Sequence, residues 1–217
     1  MSRLSTTPNA QIMTEARAAL SGRWALAVGM SAVLFGIALV SAMLGHLGSL
    51  LDVLIKGPLE IGVATVFLQF IRGQESRVSQ LFCGFDRFVT GLAAYLLMIL
   101  FIFLWALLLI VPGVIAMLSY AMTFYILADE PGIGARAAIA KSKIMMFGNK
   151  WKYFCLICRF AGWFLLGVAT LGIGFLWIVP YMMTSFARFY LDLCDLPAEI
   201  APPAVPAEAE GYHFGDE

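Results

Sequence analysis

From residue 88 to residue 128 the chain carries no charged side chain, and the first charge beyond that run is Asp129. One helical crossing of a hydrocarbon layer about 30 Å thick takes about 20 residues, so this run is too long for a single crossing. It has to fold back on itself, and Val111-Pro112-Gly113 is the turn signal inside it. A soluble domain could not cover such a run. The chain as a whole is 61% hydrophobic and 13% charged, where soluble domains hold about 45–50% apolar and about 25% charged residues.

Four further apolar stretches are long enough to cross: about 24–44, 49–71, 151–170 and 175–191. Pro58 lies inside the second of these and Pro180 inside the last, and Leu171-Gly172-Ile173-Gly174 marks a turn between the last two. Transmembrane strands are about 9–11 residues long and alternate in polarity; these stretches do neither. The expected fold is all-α, a polytopic membrane helix bundle of about six spans. The run 24–44 is longer than the apolar part of a signal peptide, about 7–15 residues, and is read as a retained first span.

Lysine and arginine favour the cytoplasmic side of a span. Arg3, Arg17 and Arg23 precede the first span, and Arg72, Arg77 and Arg87 separate the second from the third. Arg136, Lys141, Lys143, Lys150 and Lys152 separate the fourth from the fifth, and Arg188 closes the sixth. The alternate connections hold only Lys56. Both termini are therefore expected in the cytoplasm. The 14 basic and 14 acidic residues balance, so no whole-chain field points to nucleic acid.

Three cytoplasmic segments have the pattern of amphipathic helices. Thr7-Pro8 opens the first, in which Ile12, Met13, Ala16, Ala19 and Leu20 share a face. Val78, Leu81, Phe82 and Phe85 share one in the second, and Ile133, Ala137, Ala140, Ile144 and Phe147 in the third. Such helices can lie against anionic headgroups or pack on the ends of the bundle, and both can hold. Each ends in glycine, a cation and an aromatic ring, which gives the interfacial anchors Arg23 and Trp24, Arg87 and Phe88, and Lys150 and Trp151. A proline-containing hairpin follows each time, so the chain reads as three related units. The organisation is an amphipathic segment over 1–21, one membrane domain over 22–196 and an acidic tail over 197–217 too poor in apolar mass to fold.

Gly57-Pro58-Leu59-Glu60, Leu109-Ile110-Val111-Pro112-Gly113, the stretch 120–128 ending at Asp129, Lys141-Ser142-Lys143 with Met145-Met146, and the segment from Thr170 through Gly174 to Val179-Pro180-Tyr181 form a combination. It resembles the bacterial integral-membrane family called domain of unknown function 975, over roughly 16–195. The resemblance implies a multi-span protein of the bacterial inner (plasma) membrane and brings no activity with it. The chain is more distantly similar to the membrane region attached to some glycerophosphodiester phosphodiesterases; without their catalytic domain, that activity does not carry over.

Polar groups in hydrocarbon are costly and therefore mark candidate sites. Glu60 stands two residues after Pro58. If the helix restarts there, it is a cation or proton site at a broken helix. The favoured alternative is a helix cap near the outer interface paired with Lys56, because one acid alone is a poor relay. Arg159 lies two turns above Lys152 and either snorkels to the headgroups or holds a lipid phosphate. Pro58, Pro112 and Pro180 are the candidate helix breaks. Cys155 and Cys158 are spaced as two small residues one turn apart, with no second pair to make a metal site. His46 and His213 have no partners of the kind a metal or a base needs. No catalytic constellation and no cofactor motif is present. A non-catalytic scaffold or accessory protein that binds lipids or a membrane-protein partner is expected, with a small transporter or lipid-handling protein around Glu60 as the alternative. A polar, water-sized cavity at Glu60 favours the alternative; a closed core favours the first.

Overall fold

The structure, a computed structural model, describes residues 4–194. Among these the regular elements are all helical. They run α1 (Asn9–Leu20), α2 (Trp24–Met43), α3 (Gly45–Ile71), a 3₁₀ helix (Val78–Arg87), α4 (Phe88–Leu108), α5 (Ile110–Tyr120), α6 (Thr123–Asp129), α7 (Ala135–Met146), α8 (Lys150–Ala169) and α9 (Phe175–Cys194). The acidic tail expected over 197–217 lies outside the described residues, as does Arg3.

The long apolar run breaks at Leu109, whose backbone is extended (φ −163°, ψ 147°). Pro112 falls in the first turn of α5, where a missing N–H leaves no helical bond unmade. Gly113 then lets the two helices meet closely: a Cβ there would lie 2.9 Å from the Ala106 Cα.

A second interruption separates α5 from α6, and its cause is a side chain inserted into the helical ladder. The hydroxyl of Ser142, on α7, donates to the Ser119 carbonyl (2.8 Å) and accepts from the Met122 N–H (3.2 Å). The serine of the Lys141-Ser142-Lys143 motif thus supplies both polar groups exposed by the kink.

Pro58 and Pro180 break nothing. Helix α3 runs unbroken through Pro58 and α9 through Pro180. In the first case packing offsets the lost hydrogen bond. Pro58 is buried against Gly91 of α4 and Gly84 of the 3₁₀ helix, and a Cβ on Gly91 would lie 2.9 Å from the Pro58 nitrogen. Small residues let backbones approach this closely where hydrophobicity alone gives no drive to associate.

The segments carrying most of the cations meet at one end of the bundle. The Arg23 guanidinium donates to the carbonyls of Gly73 (3.1 Å) and Gln74 (2.9 Å). That of Arg87 donates to those of Leu127 (2.7 Å) and Ile133 (2.9 Å). Arg72 pairs with Asp129 at 2.6 Å, and Arg188 with Glu15. At this basic end the interior is closed by Phe67 and Phe70 of α3, Ile126 and Leu127 of α6, and Phe189 and Tyr190 of α9, all buried. At the other end the helices show exposed Leu, Ile, Phe and Trp side chains along α2, α4, α5 and α8.

Among the described residues, four stretches are long and apolar enough to cross a membrane: Trp24–Met43, Val78–Leu108, Ile110–Asp129 and Lys150–Ala169. Two expected spans, 49–71 and 175–191, form α3 and α9 but are not among the four. In α9 the polar residues Thr184, Ser185, Arg188 and Asp192 lower the apolar character, whereas α3, which holds Asp52, Lys56 and Glu60, is largely buried from Gly57 onward.

The expected surface segments form α1, the 3₁₀ helix and α7. Ile12, Ala16 and Leu20 are buried, so α1 packs on the bundle. In α7 the packed side is Ala138, Ile139, Ser142 and Met146, whereas the Ala137, Ala140 and Ile144 face with Phe147 is exposed. The expected stripe is therefore the outward one.

Candidate functional site

Asp52, Lys56 and Glu60 are four residues apart on α3 and so share one face of it. The Lys56 ammonium lies 3.7 Å from a Glu60 carboxylate oxygen, an ion pair longer than a hydrogen bond. This is the one polar contact of Glu60 among the described residues. A carboxylate has room for several donors, so most of its capacity faces elsewhere.

It faces two cavities. The larger, of about 410 Å³, is lined by Asp52, Lys56 and Glu60, by Tyr95 of α4, and by apolar side chains of α2 and α9. The smaller, of about 200 Å³, lies between α3, α6, α8 and α9 and is lined by Phe124, Tyr125, Tyr153 and Phe186 as well as Glu60. Glu60, Val63 and Met183 border both cavities. The Tyr125 hydroxyl donates to the Met183 carbonyl (3.3 Å), which ties α6 to α9 at this partition. Glu60 keeps 32% of its side-chain surface although it sits among four helices. Such a carboxylate is held in the protein interior yet stays in reach of water or a solute.

Because α3 is continuous, Glu60 is not at a helix N-terminus, and the dipole argument for an anion there does not apply. What recommends it is the cavity. Pro58 and Pro180 are buried helix-interior residues, and the Thr184 hydroxyl donates to the Pro180 carbonyl (2.6 Å). Pro112 lies outside the site at the α4–α5 turn. Arg159 is exposed on α8, with no ion pair among the described residues. Of the interfacial anchors, Trp151 is well exposed and Phe88 partly so; Arg23 and Arg87 are tied to backbone carbonyls, and Trp24 packs on the core. Phe82, Phe85 and Phe88 form an exposed ladder of rings at centroid spacings of 6.1 and 6.3 Å.

A second polar cluster closes the basic end. Asp192 of α9, 8% exposed, accepts hydrogen bonds from the hydroxyls of Ser5 and Thr7, and Lys152 lies 3.9 Å from it. The Ser5 N–H donates to Asn149 Oδ1 (2.8 Å). These bonds fasten the segment before α1 across α8 and α9. Beside them, burial acts to raise the Glu15 pKa, but its hydrogen bonds from Arg188 and Gln11 prevail and hold the carboxyl below its usual range. Among the described residues no three His, Cys, Asp or Glu side chains gather.

A family model described as "Protein of unknown function (DUF975)" matches residues 1–123 and 106–196. The chain belongs to this family. No curated protein and no solved structure matches it, and nothing in these comparisons extends the resemblance to phosphodiesterase membrane regions. In this DUF975 chain the motif Gly57-Pro58-Leu59-Glu60 combines two roles. Its first two residues form the seam with α4, and its last places a carboxylate between the cavities.

Sequence reasoning missed several residues of the candidate site in this DUF975 chain. Asp52 was legible, since it repeats the Lys56–Glu60 spacing one turn earlier. Tyr125, Tyr153 and Phe186 were not. They stand on three helices, and nothing local in an apolar run distinguishes a ring that faces a cavity from one that faces lipid.

Proposed function

We propose that the protein is a bacterial inner-membrane protein of six spans, with both termini cytoplasmic, that admits a small polar solute to an interior site at Glu60 and catalyses no reaction. The cavity of about 410 Å³ carrying Asp52, Lys56 and Glu60 carries this reading. Three charged side chains lining one cavity, with the Lys56 side chain half exposed at it, fit a water-filled space, because charge in dry apolar surroundings is costly. The same observation favours solute handling over a scaffold with a closed core.

α3 and α9 serve as the second and sixth spans, with their polar faces turned to the cavity or the packed end. Lipid covers the exposed apolar side chains of the neighbouring helices. On the cytoplasmic face, the Phe82–Phe85–Phe88 ladder and the Ile144, Phe147 and Trp151 side chains rest at the interface, where Arg136, Lys143 and Lys150 meet anionic headgroups.

Water access tests the reading. In a variant without native cysteines, Ile55→Cys lines the cavity and Leu107→Cys lies on an exposed apolar face. A charged, water-soluble thiol reagent is expected to modify Ile55→Cys in membrane vesicles and to leave Leu107→Cys unmodified. An unreactive Ile55→Cys would remove the solute site.

A further inference from the structure

The smaller cavity has a more specific chemistry than the larger. Four aromatic rings, from Phe124, Tyr125, Tyr153 and Phe186, surround it, and Glu60 supplies its one carboxylate. The rings are braced by their neighbours. Tyr153 and Phe186 pack with centroids 5.1 Å apart, and Tyr125 stacks on Tyr190 at 5.8 Å. Its volume of about 200 Å³ is below the roughly 300–1,000 Å³ of sites for drug-sized ligands, so an occupant has few heavy atoms.

Aromatic faces attract cations, and weakly hydrated organic ammonium ions most usefully, because little hydration is lost on entry. A metal ion of the hard kind requires several oxygen ligands, and here one carboxylate stands among rings. An anion would meet Glu60 and the negative ring faces. A neutral solute would leave the carboxylate without a counter-charge beyond Lys56.

We propose that this chamber binds a small alkylammonium ion, with Glu60 as counter-ion and the rings of Tyr125, Tyr153 and Phe186 as its cage. The proposal rests on the reading of the Glu60 cavity as a solute site. The ion enters from the larger cavity past Val63 and Met183, and it competes with the Lys56 ammonium for the Glu60 carboxylate. Lys56 is thus an internal competitor of the ligand, and removing it strengthens binding.

Choline is a suitable probe, with 3,3-dimethyl-1-butanol as its uncharged isostere. Calorimetry on the full chain in lipid nanodiscs is expected to show choline binding and no binding of the alcohol. Glu60→Gln and Phe186→Leu should each weaken choline binding about tenfold, Tyr153→Phe should retain it, and Lys56→Met should strengthen it. If Phe186→Leu does not fold, the opposite effects of Glu60→Gln and Lys56→Met carry the test. The cage is overturned if choline does not bind, if the alcohol binds equally well, or if Glu60→Gln and Lys56→Met leave affinity unchanged. A reactive Ile55→Cys with no choline binding removes the cage and keeps the solute cavity; an unreactive Ile55→Cys removes both.

Discussion

The two ends of the bundle are built differently. At the basic end, α1, the 3₁₀ helix and α6 close around the second half of α3 and the last turns of α9, α7 packs on α6, and rings such as Phe67 and Phe189 have no exposed surface. At the opposite end, Leu107 of α4, Ile110 of α5 and Leu165 of α8 are at least 70% exposed. A soluble protein would gain by covering those side chains, and a bilayer covers them without further protein. The contrast places the working region. Glu60 lies one turn beyond Gly57, where α3 meets Gly91 of α4 and its continuous burial begins, so it is at the floor of the open end.

This contrast can be broken by mutation. The largest effect is expected in the packed half. Phe67→Ala, at a side chain with 0% exposure, should lower stability in mild detergent by about 3–5 kcal/mol from the cavity it leaves. Phe103→Ala, at a side chain 61% exposed, should change it by no more than about 0.5 kcal/mol. Equal costs in unfolding titrations would erase the difference between the halves. Gly91→Leu forces a side chain against the Pro58 backbone and is expected to cost about 1–3 kcal/mol. Ser142→Ala leaves the buried Met122 N–H without its partner, for about 1–3 kcal/mol; a smaller loss would mean the α5–α6 kink does not depend on that hydroxyl.

The smallest effect is that of acid on the basic end. The folded-state pKa of Glu15 is below its usual range, so the Glu15–Arg188 pair contributes fully above the usual glutamate pKa. The contribution is lost as pH falls through the folded-state value. Glu15 is 35% exposed, and after solvent screening the term is about 0.2–1 kcal/mol. Glu15→Gln should remove that part of the acid sensitivity, as read by melting temperature against pH.

How much of this was legible depends on how far apart the deciding residues lie. The turn at Leu171-Gly172 was plain from four adjacent residues, and both of those named adopt positive φ. The fold-back near Pro112 was two or three residues from its true position at Leu109, because a proline fits the first turn of a helix as well as it marks a turn. Pro58 misled for a related reason: its tolerance inside α3 depends on Gly84 and Gly91, which the chain supplies some 26 or more positions later. The kink at Met122 depends on Ser142, 20 residues away. Glu60 stood out as a charge in an apolar stretch, whereas the rings around it became visible only with the packing of α3, α6, α8 and α9.

The most direct check on the open end is whether α3 crosses the bilayer despite its charges. In a variant lacking native cysteines, His46→Cys sits at the α2–α3 turn and Glu75→Cys just beyond the far end of α3. With an impermeant thiol reagent on intact cells, His46→Cys is expected to react at once and Glu75→Cys only after the membrane is permeabilised. Reaction of both from the same side would mean that α3 does not span, and the apolar end could not then be the half enclosed by lipid.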